Sequence, residues 1–191
     1  MTEISRRTFL ATTGGTLAAA WLTADVADLL ATGKHAAQAG RQNPLPPYEF
    51  LSAADAADIE AATSQIVPSD GTPGAKDARV VYFVDKALAT WQKDQRGDFA
   101  KGVKELRDRA GKSYGARSFA ALTDEQQHAV IASLEKDKHQ FFGALRGATI
   151  VGMLSNPEYG GNHDKLGWKM IGFSDQFSWA PPFGWYDANE R

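Results

Sequence analysis

The chain has 191 residues and a mass of 20.7 kDa, enough for one core plus a targeting segment and too little for two independent cores. Its 43% hydrophobic, 23% charged and 10% aromatic residues are those of a globular protein, and a net charge of −2 gives no electrostatic pull toward nucleic acid or an anionic membrane. The lack of cysteine excludes disulfides, thiolate nucleophiles, cysteine-ligated clusters and covalent haem attachment.

The N-terminus reads as an address. Ser5-Arg6-Arg7-Thr8-Phe9-Leu10 opens a stretch without charge from Thr8 to Ala24, 17 residues diluted by Gly14, Gly15 and threonines. That is short of the roughly 20 apolar residues a spanning helix needs. A positive start, a moderately apolar run and a small-residue site predict a secretory signal, and Arg6, Arg7, Phe9 and Leu10 match the twin-arginine type. Cleavage is placed after Ala37-Gln38-Ala39, with Ala18-Ala19-Ala20 as the alternative. The expected organisation is a signal over 1–39, a linker over 40–50 broken by Pro44, Pro46 and Pro47, and a helical domain over 51–191 located in the periplasm. Residues 1–39 carry three basic and three acidic side chains, so the remainder keeps the net charge of −2.

The predicted elements are all helical, about five in number. Ser52 with Asp55 starts the first, over 52–67, with Ala56, Ile59, Thr63 and Ile66 on one face and Pro68 as the stop. Val80 to Val84 has strand propensity, but Val80, Val84, Ala87, Leu88 and Trp91 keep a 3.6-residue period over twelve positions, so a helix is expected. Phe99, Val103, Leu106 and Ala110 mark a third that stops near Gly111. Thr123 with Gln126 caps a fourth through about Lys138, burying Val130, Ile131 and Leu134. A fifth, from about His139 to Leu154, buries Phe142, Leu145, Thr149 and Met153.

Chemistry-bearing patterns are few. Glu125-Gln126-Gln127-His128 fits the Glu-x-x-His spacing of carboxylate-bridged diiron bundles, but no second such pair exists, and Asp124 and Glu125 suit the positive end of a helix. Glu135 and His139, four apart, are expected on one face of a solvated helix. No phosphate loop, dinucleotide fingerprint, G-x-S-x-G or H-E-x-x-H occurs.

Two loops stand out, Pro68 to Ala75 and Asn156-Pro157-Glu158-Tyr159-Gly160-Gly161-Asn162, because their glycines allow sharp shapes and close backbone approach. For the first, a plain turn is an equal reading. The second runs through Gly167-Trp168-Lys169 and Ile171-Gly172-Phe173 into an irregular tail. Residues 173–191 hold six aromatics where the chain's 20 in 191 residues predict about two. The expected partner-binding residues are therefore Tyr159, Gly160, Gly161, Asn162, Trp168, Phe173, Phe177, Trp179, Phe183 and Trp185. Covering the domain's own core is the alternative use of the tail rings.

These residues resemble the gluconate 2-dehydrogenase subunit 3 family, over roughly Phe50 to Phe173. The specific parts are Pro68 to Ala75, the helix opening Val80 to Leu88 with Asp85, and the run from Asn156 to Phe173. The resemblance departs at His163, where a basic residue such as Arg is expected. It implies a small subunit without catalytic residues or cofactor of its own. Its partners would be an FAD-dependent catalytic subunit of the glucose-methanol-choline oxidoreductase type and a multihaem cytochrome c carrying haem c as a third subunit. The signal implies a further partner, the twin-arginine translocase, and the charge implies no nucleic acid. An export route used chiefly for prefolded, cofactor-loaded proteins, on a chain with no cofactor motif, suggests a companion that carries a flavoprotein across the membrane and stabilises it. A helical metalloenzyme around Glu125 and His128, or an exported binding module, are the competing readings.

Overall fold

The computed structural model describes residues 45–176 and 178, and these form a helical domain with no strand among them. Six helices are present: α1 (Ala53–Ile66), α2 (Val80–Ala89), α3 (Arg96–Tyr114), α4 (Asp124–Lys136), α5 (Gln140–Leu154) and α6 (Leu166–Met170). Single 3₁₀ turns lie at Lys93–Gln95, Pro157–Tyr159 and His163–Lys165. The expected signal residues Arg6, Arg7, Phe9 and Leu10 lie outside the described residues.

α2 is the centre. Val80, Val81, Phe83, Val84, Ala87 and Leu88 are all buried, as befits a helix surrounded on every side, and enclosure overrides the strand propensity of its first five residues. α5 packs along it most extensively, and α1 packs on α2, α4 and α5. A Cβ on Gly152 would come 3.1 Å from Phe83 and Val80, so the missing side chain lets α5 lie close to α2. On α3, a Cβ on Gly102 would fall 2.0 Å from the Phe141 ring, which uses that space to meet Phe99 edge-on at 5.6 Å.

The helix ends follow capping chemistry, with differences from the sequence expectation. Ser52 caps α1 through the Asp55 amide, and Thr123 with Gln126 forms a reciprocal capping box on α4. α2 stops at Ala89 rather than running to Trp91, because Arg96 donates to the Leu88 and Ala89 carbonyls and satisfies the helix end. α3 runs past Gly111 to Tyr114, since Gly115 rather than Gly111 adopts the left-handed conformation that ends it. Glu135 and His139 do not share a helix face. α4 ends at Lys136, Lys138 turns with φ 52°, and His139 becomes the cap of α5, its Nδ1 accepting from the Phe141 amide. That shift of one residue also buries Phe141 in place of Phe142, which is half-buried.

Two buried carboxylates organise the packing. Asp58, fully buried on α1, accepts from Arg107 Nε at 2.7 Å, Ser118 Oγ at 2.8 Å and the Ala120 amide at 2.8 Å, tying α1 to α3 and to the α3–α4 connection. Asp85 on α2 accepts from three successive amides, those of Glu49, Phe50 and Leu51, at 2.8–2.9 Å. Lys86 pairs with Glu49 at 2.5 Å, and the Tyr48 and Tyr82 rings meet at 4.9 Å. The segment ahead of α1 is irregular, as its prolines require, yet it is strapped to α2. Asp85→Asn removes the charged acceptor from this strap and should cost about 2 kcal/mol. Urea unfolding would read the loss, and limited proteolysis should then cut within 45–51; an unchanged transition midpoint would show that the strap contributes nothing.

Candidate functional site

The loop after α5 and the short α6 form the most constrained part of the surface. Asn156 caps the Pro157–Tyr159 turn by accepting from the Glu158 amide at 3.0 Å. Gly160 then takes φ 97°, which favours glycine, and a Cβ there would sit 3.0 Å from the Tyr82 carbonyl. A Cβ on Gly161 would lie 2.2 Å from the Gly152 carbonyl, so the loop backbone runs directly against α5.

Asn162 follows, fully buried with φ 47°. Its side chain donates to the Ser155 carbonyl at 2.9 Å and accepts from the Gly167 amide at 2.8 Å, joining the end of α5 to the start of α6. The His163 amide bonds the Ala78 carbonyl at 3.1 Å, which fastens the loop to the chain just before α2. Five non-glycine residues have positive φ among the described residues, and four belong here: Arg79, Asn162, Asp164 and Lys165. Such conformations cost on the order of 1 kcal/mol each and persist only where surrounding bonds enforce them. Asn162 supplies part of that enforcement, through its own side-chain bonds and the Lys165 amide on its carbonyl.

α6 stands on this base. Trp168 Nε1 donates to the Leu154 carbonyl at 2.7 Å, the Phe173 amide bonds the Trp168 carbonyl at 2.8 Å, and the two rings meet edge-on at 5.1 Å. Beside them opens a cleft of about 570 Å³ lined by Glu158, Gly161, His163, Lys165 and Trp168, with Lys165 and Asp175 paired across it at 2.6 Å. Burial, and then the nearby Arg79, hold the His163 imidazole below its usual range against the opposing pull of Asp164, so it is neutral at pH 7.

The sequence-predicted partner-binding residues divide into two groups. Gly160, Gly161 and Asn162 are buried, and their observed task is to shape the loop. Tyr159 and Trp168 are half-buried, Tyr159 packing edge-on against Trp91 at 5.9 Å, and Phe173 is 44% exposed. Phe177, Trp179, Phe183 and Trp185 lie outside the described residues. Sequence reasoning missed Leu154, Met170 and Ile171, all exposed around Trp168 and Phe173. For Met170 and Ile171 the signal was the apolar pair between Lys169 and Gly172, and Leu154 showed only as the last residue of the fifth predicted helix.

The other candidates are local. The Pro68 to Ala75 loop closes on itself: Asp77 accepts from Ser69 Oγ at 2.5 Å and from the Gly74 amide at 2.9 Å, and these bonds hold its carboxyl below the usual range. Glu125 and His128 are exposed on α4, and the Glu125 carboxyl is lowered by its own amide and the Thr123 hydroxyl. Among the described residues no cluster of three His, Asp or Glu side chains could hold a metal ion, and no helix is long and apolar enough to cross a membrane.

No curated protein and no solved structure matches the chain. The sequence profile described as Gluconate 2-dehydrogenase subunit 3 matches residues 53–175, from the first residue of α1 to two residues past Phe173. With the larger part of its length matched, and the matched part coinciding with the folded domain, the chain belongs to the gluconate 2-dehydrogenase subunit 3 family.

Proposed function

We propose that this chain is the non-catalytic small subunit of a periplasmic FAD-dependent dehydrogenase of sugars or sugar acids, and that it stabilises the catalytic flavoprotein and carries it through the twin-arginine translocase. The observation behind this reading is the family match over 53–175 on a chain that also begins with Arg6, Arg7, Phe9 and Leu10 in twin-arginine order. A route that accepts folded cargo permits a flavin-loaded subunit without a signal of its own to cross as the passenger of a subunit that has one. In this complex FAD resides in the partner of glucose-methanol-choline oxidoreductase type, and a multihaem cytochrome c subunit takes the electrons onward. The aromatic residues Phe177, Trp179, Phe183 and Trp185 serve as anchors on the flavoprotein, since rings of this size dominate association energies.

Changing Arg6→Lys together with Arg7→Lys, in a strain expressing both subunits, should leave dehydrogenase activity in the cytoplasm and remove it from the periplasm. Fractionation followed by an activity assay with an artificial electron acceptor reads this directly. Periplasmic activity at the unaltered level would refute the carrier role.

A further inference from the structure

Seven large hydrophobic side chains are exposed among the described residues, and four of them, Leu154, Met170, Ile171 and Phe173, gather at the α5–α6 edge around Trp168. Ile171 is the most exposed, at 57%. We infer that this edge is a preformed docking shelf for an apolar patch on the dehydrogenase subunit; the inference rests on the accessory-subunit reading and deepens it by naming the surface.

Three observations select that occupant. The shelf is tied by bonds of its own: Trp168 Nε1 donates to the Leu154 carbonyl, the Phe173 amide to the Trp168 carbonyl, and the Gly167 amide to the buried Asn162. An apolar surface that needs no ordering on contact gives more association energy for its area than a mobile one. Its margin is charged, with the Lys165–Asp175 pair, Lys169 and Asp164 beside the apolar centre, which is the anatomy of a protein–protein contact. Finally, the chain leaves the shelf at Phe173 and enters a stretch whose sequence sets Phe177, Trp179, Phe183 and Trp185 among polar residues. One large partner can cover both, and a family of dehydrogenase subunits supplies one.

The test uses the full chain and the flavin-loaded dehydrogenase subunit of the same organism. Ile171→Lys, at a position already turned to solvent, should keep the wild-type melting temperature and weaken association by about 30-fold or more, the size of an interface hot spot. Tyr114→Lys, at another exposed apolar site on α3, should bind within about twofold of wild type. Amide exchange at residues 166–173 should slow in the complex. If the wild-type chain does not bind the flavoprotein, the accessory-subunit reading itself falls. If it binds, and Ile171→Lys binds equally with no protection at 166–173, the shelf alone is wrong. Self-association of the free subunit that Ile171→Lys abolishes, with flavoprotein binding intact, assigns the shelf to a second copy and likewise overturns the inference.

Discussion

Asp58→Ala is expected to lower the stability of the domain by about 3–4 kcal/mol, which for a chain of this size is roughly 10 °C in melting temperature. Asp58 has no exposed surface, and its two oxygens satisfy Arg107 Nε, the Ser118 hydroxyl and the Ala120 amide. Alanine removes the acceptor from all three at once. The amide has no other partner in place, and a buried donor left unpaired costs about 1–3 kcal/mol. Arg107 loses less, because it is 32% exposed and keeps its 2.7 Å contact with Asp55, so the sum stays below that for a fully enclosed ion pair. Thermal and urea unfolding of the purified chain would measure the effect. A loss under 1 kcal/mol would mean that water replaces the carboxylate and that the tie between α1 and the α3–α4 connection is dispensable.

Gly167→Ala should be the most damaging single change to the candidate site. The added Cβ would stand 1.9 Å from the Met153 carbonyl oxygen and 2.8 Å from its carbon, and backbone cannot swing aside as a side chain can. α6 must therefore lift from α5, breaking the Gly167–Asn162 bond and the Trp168–Leu154 bond together. Overpacking of this kind costs about 1–3 kcal/mol, and here the cost falls on one edge. Hydrogen exchange should accelerate from Asn162 to Phe173 while α2 and the buried face of α1 keep their protection, and the docking inferred above for this edge should weaken with it. Gly97→Ala is the matched control, since a Cβ there meets nothing within 4 Å and the change should be neutral or slightly stabilising. Unaltered exchange at 162–173 in Gly167→Ala would show that the edge tolerates displacement and is not a rigid platform.

Much of this was legible in the residues. The capping pairs Ser52–Asp55 and Thr123–Gln126 mark helix starts because the signal is local, one side chain and an amide three positions on. Helix ends were harder. Gly111 and Gly115 are both plausible stops, and only the backbone angle of Gly115 decides between them. The Asn156 to Phe173 run stood out by composition, but composition did not divide its residues into buried shapers and exposed contacts. Asn162 reads as a polar loop residue, and it is fully buried because two backbone groups from separate elements converge on its amide.

By itself the sequence determined the helical class, most helix starts and the resemblance that the family match bears out, all properties carried by neighbours along the chain. The tertiary structure alone decided that Asp58 and Asp85 are internal ties, that Gly160, Gly161 and Asn162 face inward, and that Leu154 joins Met170, Ile171 and Phe173 on one edge. Burial of a polar group depends on partners that may lie 60 residues away, as Ser118 does from Asp58, and no local pattern encodes that distance.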